Sequence, residues 1–143
     1  MIAVDANILV YARRGDAPLH ARAVEALREL SEGDEAWALP VFSVLQYLRV
    51  VTHPRIPPRP TPMAEALASM DSLLASPSVR FLVPGRIYWT VLQRIILDCR
   101  IVGSQVFDAQ IAALCLEQGA DTILTEDRDF SRFPNLTVKR LPL

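Results

Sequence analysis

The chain has 143 residues, 51% of them hydrophobic, and a formal net charge of −1 at pH 7. This length fits one domain with a sizeable buried core. The charge argues against a protein that holds nucleic acid through bulk positive charge, and no apolar run approaches the roughly 20 residues of a membrane span. No signal peptide precedes the first strand pattern, so we predict a cytoplasmic protein without membrane contact.

Short apolar segments alternate with segments of helical periodicity along the whole chain. In chain order we predict a strand at 2–5, helices at 6–11 and 20–30, a strand at 36–39, helices at 40–53 and 63–74, a strand at 79–83, helices at 87–101 and 104–118, and strands at 122–124 and 136–138. Five prolines between residues 54 and 62 predict an extended loop. The alternation indicates an α/β fold with a mainly parallel sheet covered by helices on both faces.

Three aspartates lie where strands end or a helix begins. Asp5 ends the first strand, Asp127 follows the strand at 122–124, and Asp108 lies in the first turn of the helix that starts at Ser104. Ligands of open parallel sheets bind at the carboxyl ends of the strands, so these carboxylates converge if the first and penultimate strands are neighbours. Carboxylate oxygens suit a hard divalent cation, which predicts a metal site.

Each of these acids also has a local structural explanation. Asp5 suits a helix N-cap, Asp108 favours a helix N-terminus electrostatically, and Asp127 and Asp129 are ordinary turn residues. The combination favours a site, because Asp5 follows an apolar run in which an unpaired carboxylate is costly.

Several segments, in their order along the chain, resemble the PIN-domain nucleases and closely the VapC toxins of bacterial toxin–antitoxin pairs. The matching segments are 4–10 (VDANILV), 48–55 (LRVVTHPR), 107–114 (FDAQIAAL), 119–121 (GAD), 125–130 (TEDRDF) and 133–136 (FPNL). The resemblance implies a PIN-like three-layer α/β/α sandwich with short strands, formed by a single domain over residues 1–143. It also implies an Mg²⁺- or Mn²⁺-dependent endoribonuclease, the toxin of a type II pair, which hydrolyses RNA phosphodiester bonds.

The resemblance further implies a homodimer, an RNA substrate and a cognate antitoxin protein. By position, it assigns the catalytic and metal-binding acids to Asp5, Asp108 and Asp127, supporting polar roles to Asn7 and Thr125, and an accessory acidic role to Asp129. The helix at 87–101 is more apolar than a surface helix usually is, which also favours a homodimer.

Gln46 departs from the family pattern, which has a glutamate at this position of the third helix. It lies opposite the predicted apolar stripe of Val41, Val44, Leu45, Leu48 and Val51. We place Gln46 in the active site, where a neutral amide can bind through oxygen but adds no charge and cannot act as a base. The activity is then weakened, whether the glutamine is natural or was introduced.

Two further functional classes compete with the nuclease. A catalytically impaired PIN module would bind antitoxin or RNA without cleavage, and Gln46 is its best support. A phosphatase with Asp5 as nucleophile would need an interior lysine, whereas the only lysine is Lys139, near the C-terminus. Cys99 and Cys115 lie in predicted helices and form no Cys-x-x-Cys motif, so we predict two unbridged thiols and no zinc site.

Overall fold

A computed structural model describes residues 1–142, so Leu143 of the predicted domain lies outside the described part. The strands are β1 (Ile2–Val4), β2 (Trp37–Pro40), β3 (Val79–Leu82), β4 (Thr122–Leu124) and β5 (Thr137–Lys139). The helices are α1 (Ala6–Arg13), α2 (His20–Glu32), α3 (Val41–Val51), α4 (Met63–Leu74), α5 (Tyr88–Asp98) and α6 (Gln105–Glu117), and a 3₁₀ helix, η1, covers Arg128–Arg132.

The five strands form one sheet in the order β3-β2-β1-β4-β5, and every neighbouring pair is parallel. The first three strands are added outwards from β1 on one side, after which the chain returns to place β4 on the other side of β1. The direction of winding therefore reverses between β1 and β4. The crevice at the carboxyl ends of such a strand pair is where open α/β sheets bind ligands.

Alternating side chains of the short strands fill two separate cores. Ala3, Ala38 and Ile123 face a core built with α5, α6 and η1. Val4, Trp37 and Leu124 face the opposite core, which α1, α2, α3 and α4 complete. The sheet is thus covered on both faces, and the predicted three-layer α/β fold with a parallel sheet is confirmed.

The helix predicted at 87–101 is shorter in the structure. α5 ends at Asp98, because Arg100 adopts a left-handed backbone with φ 53° that an α-helix cannot continue through. Gly103, the next glycine along the chain, is also left-handed, with φ 59°.

The Cys99 and Cys115 thiols are free, and burial raises the pKa of Cys115 to about 12.

The predicted apolar stripe of α3 is partly wrong. Leu45 is 54% exposed, whereas Tyr47 is fully buried with its hydroxyl 2.7 Å from the Ser69 hydroxyl of α4. The helix is covered by α1 and α4 on one side and by α6 on another, so no single stripe describes its buried residues.

Among residues 1–142, no helix has both the length and the apolar character that crossing a membrane requires.

Candidate active site

The Thr125 hydroxyl joins the ends of β1 and β4. It donates a hydrogen bond of 2.7 Å to Asp5 Oδ2, and it accepts bonds from Asn7 Nδ2 at 3.1 Å and from the Asp127 backbone N–H at 3.0 Å. A hydroxyl has one donor and two acceptor lone pairs, so all of its capacity is used. Thr125 is fully buried, and it fixes the two strand ends relative to each other.

Sheet register brings Asp5 and Thr125 together. Val4 pairs with Leu124, and the Asp5 N–H donates to the Leu124 carbonyl at 3.0 Å. The other Asp5 oxygen, Oδ1, accepts from the Ala6 N–H at 2.7 Å, which caps α1. Asp5 is therefore a helix cap as well as a candidate site residue, and each of its oxygens has a protein partner.

Three carboxylates lie together beside this junction. Asp108, Asp127 and Asp129 each offer one oxygen, and the three oxygens lie within 4.8 Å of one another, close enough to share a metal ion. Asp108 comes from the first turn of α6, and Asp127 caps η1 by accepting from the Asp129 N–H at 2.9 Å. We call Asp108, Asp127 and Asp129 the acidic cluster.

The structure thus groups the predicted site residues somewhat differently from the sequence-based assignment. Asp129, assigned an accessory role, lies within the acidic cluster, whereas Asp5 borders it through Thr125. Asn7 donates to Thr125, and its Oδ1 accepts from the Glu126 N–H at 3.5 Å.

Electrostatic repulsion marks the acidic cluster as a place suited to a cation. Burial, together with the negative charges of Asp127, Asp5 and Asp129, raises the pKa of Asp108 to about 6. Burial also raises the pKa of Asp5, against the opposing effect of its hydrogen bonds from Thr125 and Ala6. Sequence reasoning overlooked Arg132, which lies 3.7 Å from Asp129 and partly offsets the charge around Asp108.

Gln46 lies half-buried on α3, outside the acidic cluster as the described residues define it. It lines an open groove of about 290 Å³ between α3 and α6, to which α6 contributes Phe107 and Gln110. Phe107 directly precedes Asp108, so this groove lies at the end of α6 that carries Asp108. Gln46 is thus near the elements that carry the acids.

Two arginines near the proline-rich loop are engaged by protein groups. Arg13 pairs with Glu65 at 2.6 Å, and Arg14 donates to the Pro57 and Arg59 carbonyls at 2.7 and 2.8 Å, which holds the proline-rich loop. Arg49, Arg55 and Arg128 form no ion pair within residues 1–142 and remain available to an anion.

Comparison with known proteins agrees with this fold. A family model of the PIN domain matches residues 2–136. Ribonuclease VapC43 from Mycobacterium tuberculosis is 38% identical over 136 residues, which cover 95% of this chain and 92% of the relative. Ribonuclease VapC31 from the same organism is 31% identical over 143 residues, covering all of both chains.

Solved structures share the fold at lower sequence identity. The structure of VapBC2 from Rickettsia felis bound to a promoter DNA fragment superposes with a TM-score of 0.72 and 18% identity, covering 99% of this chain and 100% of that one. VapC20 from M. tuberculosis, described as a Sarcin-Ricin loop cleaving toxin, gives a TM-score of 0.66 at 16% identity, covering 96% and 99%. The chain therefore belongs to the PIN domain family, and within that family to the VapC ribonucleases.

Replacing Thr125 with valine tests the junction between the strand ends. Valine keeps the shape but leaves Asp5 Oδ2, the Asn7 amide and the Asp127 N–H without their shared partner. We expect the free energy of unfolding to fall by ~1–3 kcal/mol, as for other buried groups left unsatisfied. Urea denaturation measures this. The control is Thr137→Val, an exposed position on β5, which should change stability by less than ~0.5 kcal/mol.

The raised pKa of Asp108 predicts a pH-dependent stability in the absence of metal. Its pKa rises from 3.8 to about 6, so the folded state binds the proton more tightly than the unfolded state. Ionisation of this group therefore subtracts stability as the pH rises between these values. Asp108→Asn should gain stability relative to the parent as the pH goes from about 5 to about 7.5.

Urea denaturation with a chelator present at both pH values checks this expectation. Glu25→Gln is a control that should show almost no change between the two pH values, because the hydrogen bond from Arg28 lowers the pKa of Glu25 from 4.5 and its titration therefore lies below this range. An Asp108→Asn effect that is equal at both pH values would contradict the predicted repulsion within the acidic cluster.

Proposed function

We propose that this chain is a Mg²⁺- or Mn²⁺-dependent endoribonuclease, built as a single PIN domain over residues 1–143, and the toxin of a type II toxin–antitoxin pair. The observation that carries the proposal is the acidic cluster, whose three carboxylate oxygens lie within 4.8 Å at the switch point of the sheet. The names of the relatives, which are ribonucleases, support the same activity.

The residues of the acidic cluster fit a hard divalent cation. They offer only carboxylate oxygens, the ligands that Mg²⁺ takes together with waters and substrate phosphates. Burial and the neighbouring negative charges together raise the pKa of Asp108, and a bound cation would relieve the repulsion between these charges. Such a cation would supply Lewis-acid activation of water and would offset charge on the oxygens of the phosphodiester.

The protein groups around the acidic cluster have distinct tasks in this proposal. Asp108, Asp127 and Asp129 would hold the cation. Asp5 and Thr125 act behind them, since Thr125 positions the Asp127 backbone and shares its hydroxyl with Asp5. This arrangement keeps the carboxylates in place before substrate arrives, which spares the reaction the cost of organising them.

We propose RNA, a cognate antitoxin and a second copy of this chain as partners. The antitoxin is supported by the solved VapBC structures that share the fold, among them VapBC-1 from Haemophilus influenzae with a TM-score of 0.67. The homodimer is supported by exposed apolar side chains of α5 and the segment after it. Trp89, Leu97 and Val102 are 63%, 75% and 69% exposed.

Metal-dependent RNA cleavage is the experiment that tests the function. Purified protein should cleave single-stranded RNA with Mg²⁺ or Mn²⁺ present and should stop when a chelator is added. Asp108→Asn should reduce the rate by at least ~10–100-fold, the loss usual for disturbing a metal's ligand environment. Asp71→Asn, an exposed acid on α4, is the matched control and should retain the parent rate. Metal binding without any cleavage would favour the impaired PIN module instead.

Restoring glutamate at position 46 tests the proposed weakening. If Gln46 belongs to the metal site, Gln46→Glu adds an anion near the cation and a group able to orient or deprotonate water. We therefore expect higher metal affinity and faster RNA cleavage together, measured by calorimetric metal titration and by the cleavage assay. Without metal, stability should fall or stay level, because the new charge joins like charges. Unchanged metal affinity and rate would make Gln46 a structural residue.

The homodimer is tested by placing a charge on its proposed surface. Leu97→Asp should convert the dimer into a monomer, because a buried unpaired carboxylate is costly in an apolar interface. Sedimentation at micromolar concentration should then give a mass of ~16 kDa, as expected of one domain of this length. Asp98→Asn, at the neighbouring position, should leave the mass unchanged. A parent chain that sediments only as a monomer would refute the homodimer.

A further inference from the structure

The groove between α3 and α6, called here the α3–α6 groove, is not used by the acidic cluster. Leu45 and Arg49 line it from α3, and Phe107 and Gln110 line it from α6. Its volume of about 290 Å³ lies at the small end of the ~300–1,000 Å³ typical of ligand pockets. This size suits one planar ring better than a helix or a strand from another protein.

Phe107 gives the α3–α6 groove an aromatic surface. It is 63% exposed, whereas the residues that follow it on α6, from Ile111 to Cys115, are buried. Most of the Phe107 side chain therefore adds nothing to the core and is open to a stacking partner. Phe107 directly precedes Asp108 in the first turn of α6, so the groove and the acidic cluster share this end of the helix.

The polar groups of the α3–α6 groove are unoccupied by protein. The Arg49 guanidinium and the Gln110 side-chain amide have no hydrogen-bonding partner within residues 1–142, although the Gln110 backbone carbonyl is used. An arginine can contact phosphate, and an amide can donate to and accept from the edge of a base. These two groups and the phenyl ring together have the chemistry that recognises a nucleotide.

The floor of the α3–α6 groove is fixed before any ligand binds. The Phe42 ring packs against Tyr88, with centroids 6.0 Å apart. The Tyr88 hydroxyl in turn donates to the Gln110 carbonyl at 3.1 Å, which ties α5 to α6. A site built on two packed helices and held by a third holds its geometry better than one built on loops.

We propose that the α3–α6 groove binds one unpaired nucleobase of the RNA, beside the phosphodiester at the acidic cluster. Phe107 stacks on the base, Gln110 binds its edge and Arg49 contacts a neighbouring phosphate. Single-stranded RNA is recognised mainly through splayed bases that stack on aromatic side chains. The inference rests on the proposed ribonuclease function and adds the part of the site that holds and selects the substrate.

The test compares two oligomers of equal length that share a backbone, oligoadenylate and an abasic ribose-phosphate oligomer. Binding is measured with Mg²⁺ on full-length protein carrying Asp127→Asn, so that cleavage does not interfere. Adding Phe107→Ala should weaken oligoadenylate binding by about 5- to 150-fold, equivalent to the ~1–3 kcal/mol of stacking per base. The same substitution should leave the affinity for the abasic oligomer unchanged.

Matched variants separate stacking from other effects. Phe107→Tyr should restore oligoadenylate binding, and Phe107→Leu, which keeps an apolar side chain without a ring, should not. Arg49→Ala should weaken both oligomers alike and reduce the salt dependence of binding. Phe81→Ala removes a phenylalanine that is 45% exposed on the edge strand β3, and it should have no effect on either oligomer.

Three outcomes would overturn the inference. In the first, the Asp127→Asn protein binds the two oligomers with equal affinity. In the second, Phe107→Ala weakens the binding of both oligomers equally. In the third, Phe107→Ala changes the sedimentation of the protein but not its RNA binding. The last would make the α3–α6 groove a protein interface. Failure of this inference can be distinguished from failure of the proposed function. If the parent protein cleaves no RNA, the binding of the two oligomers can still be compared.

Discussion

A single buried hydroxyl links the ends of the two central strands. Thr125 is held by β4, donates to Asp5 at the end of β1, and accepts from Asn7 and from the backbone of Asp127. Side chains that would otherwise repel or lose solvation are joined by one neutral group that can both donate and accept. The positions of α1, η1 and the acidic cluster all depend on this junction.

The site combines groups that stabilise the fold with groups that destabilise it. Asp5 and Asp127 each use an oxygen to cap a helix, which is ordinary structural work. Asp108 has no such partner among residues 1–142, and burial together with the neighbouring charges raises its pKa to about 6, which disfavours its ionised form. Strain of this kind is typical of places where folding stability is given up for binding.

Much of this arrangement was predictable from the sequence, since apolar segments of period two and helical segments of period 3.6 alternate regularly. The order of the strands was not predictable, because the residues around Val4 do not indicate that it pairs with Leu124 rather than with a strand nearer in sequence. Asp5, Asp108 and Asp127 were proposed as site residues from their positions at the ends of strands and the start of a helix. Asp129 lies close to Asp108 and Asp127 because of the turn of η1, and a 3₁₀ helix this short has too few residues to show a hydrophobic periodicity in the sequence.

Errors in the helices also have physical causes. Leu45 fits an apolar stripe by spacing, yet it is exposed because α3 is surrounded unevenly by α1, α4 and α6. α5 ends early because Arg100 takes a left-handed backbone, which arginine rarely does and no propensity indicates. The α3–α6 groove was not predicted from the sequence, since the residues of its two walls lie more than 50 positions apart along the chain.

The central position of β1 has a consequence for how the chain acquires its chemistry during synthesis. Asp5 is made 120 residues before its hydrogen-bonding partner Thr125. Proteins are made from the N-terminus at ~5–20 residues per second, so the growing chain passes several seconds with its first strand lacking a neighbour on one side. The acidic cluster assembles only when η1 has left the ribosome. A nascent chain interrupted before residue 125 therefore lacks Thr125 and two of the three acids of the cluster, Asp127 and Asp129.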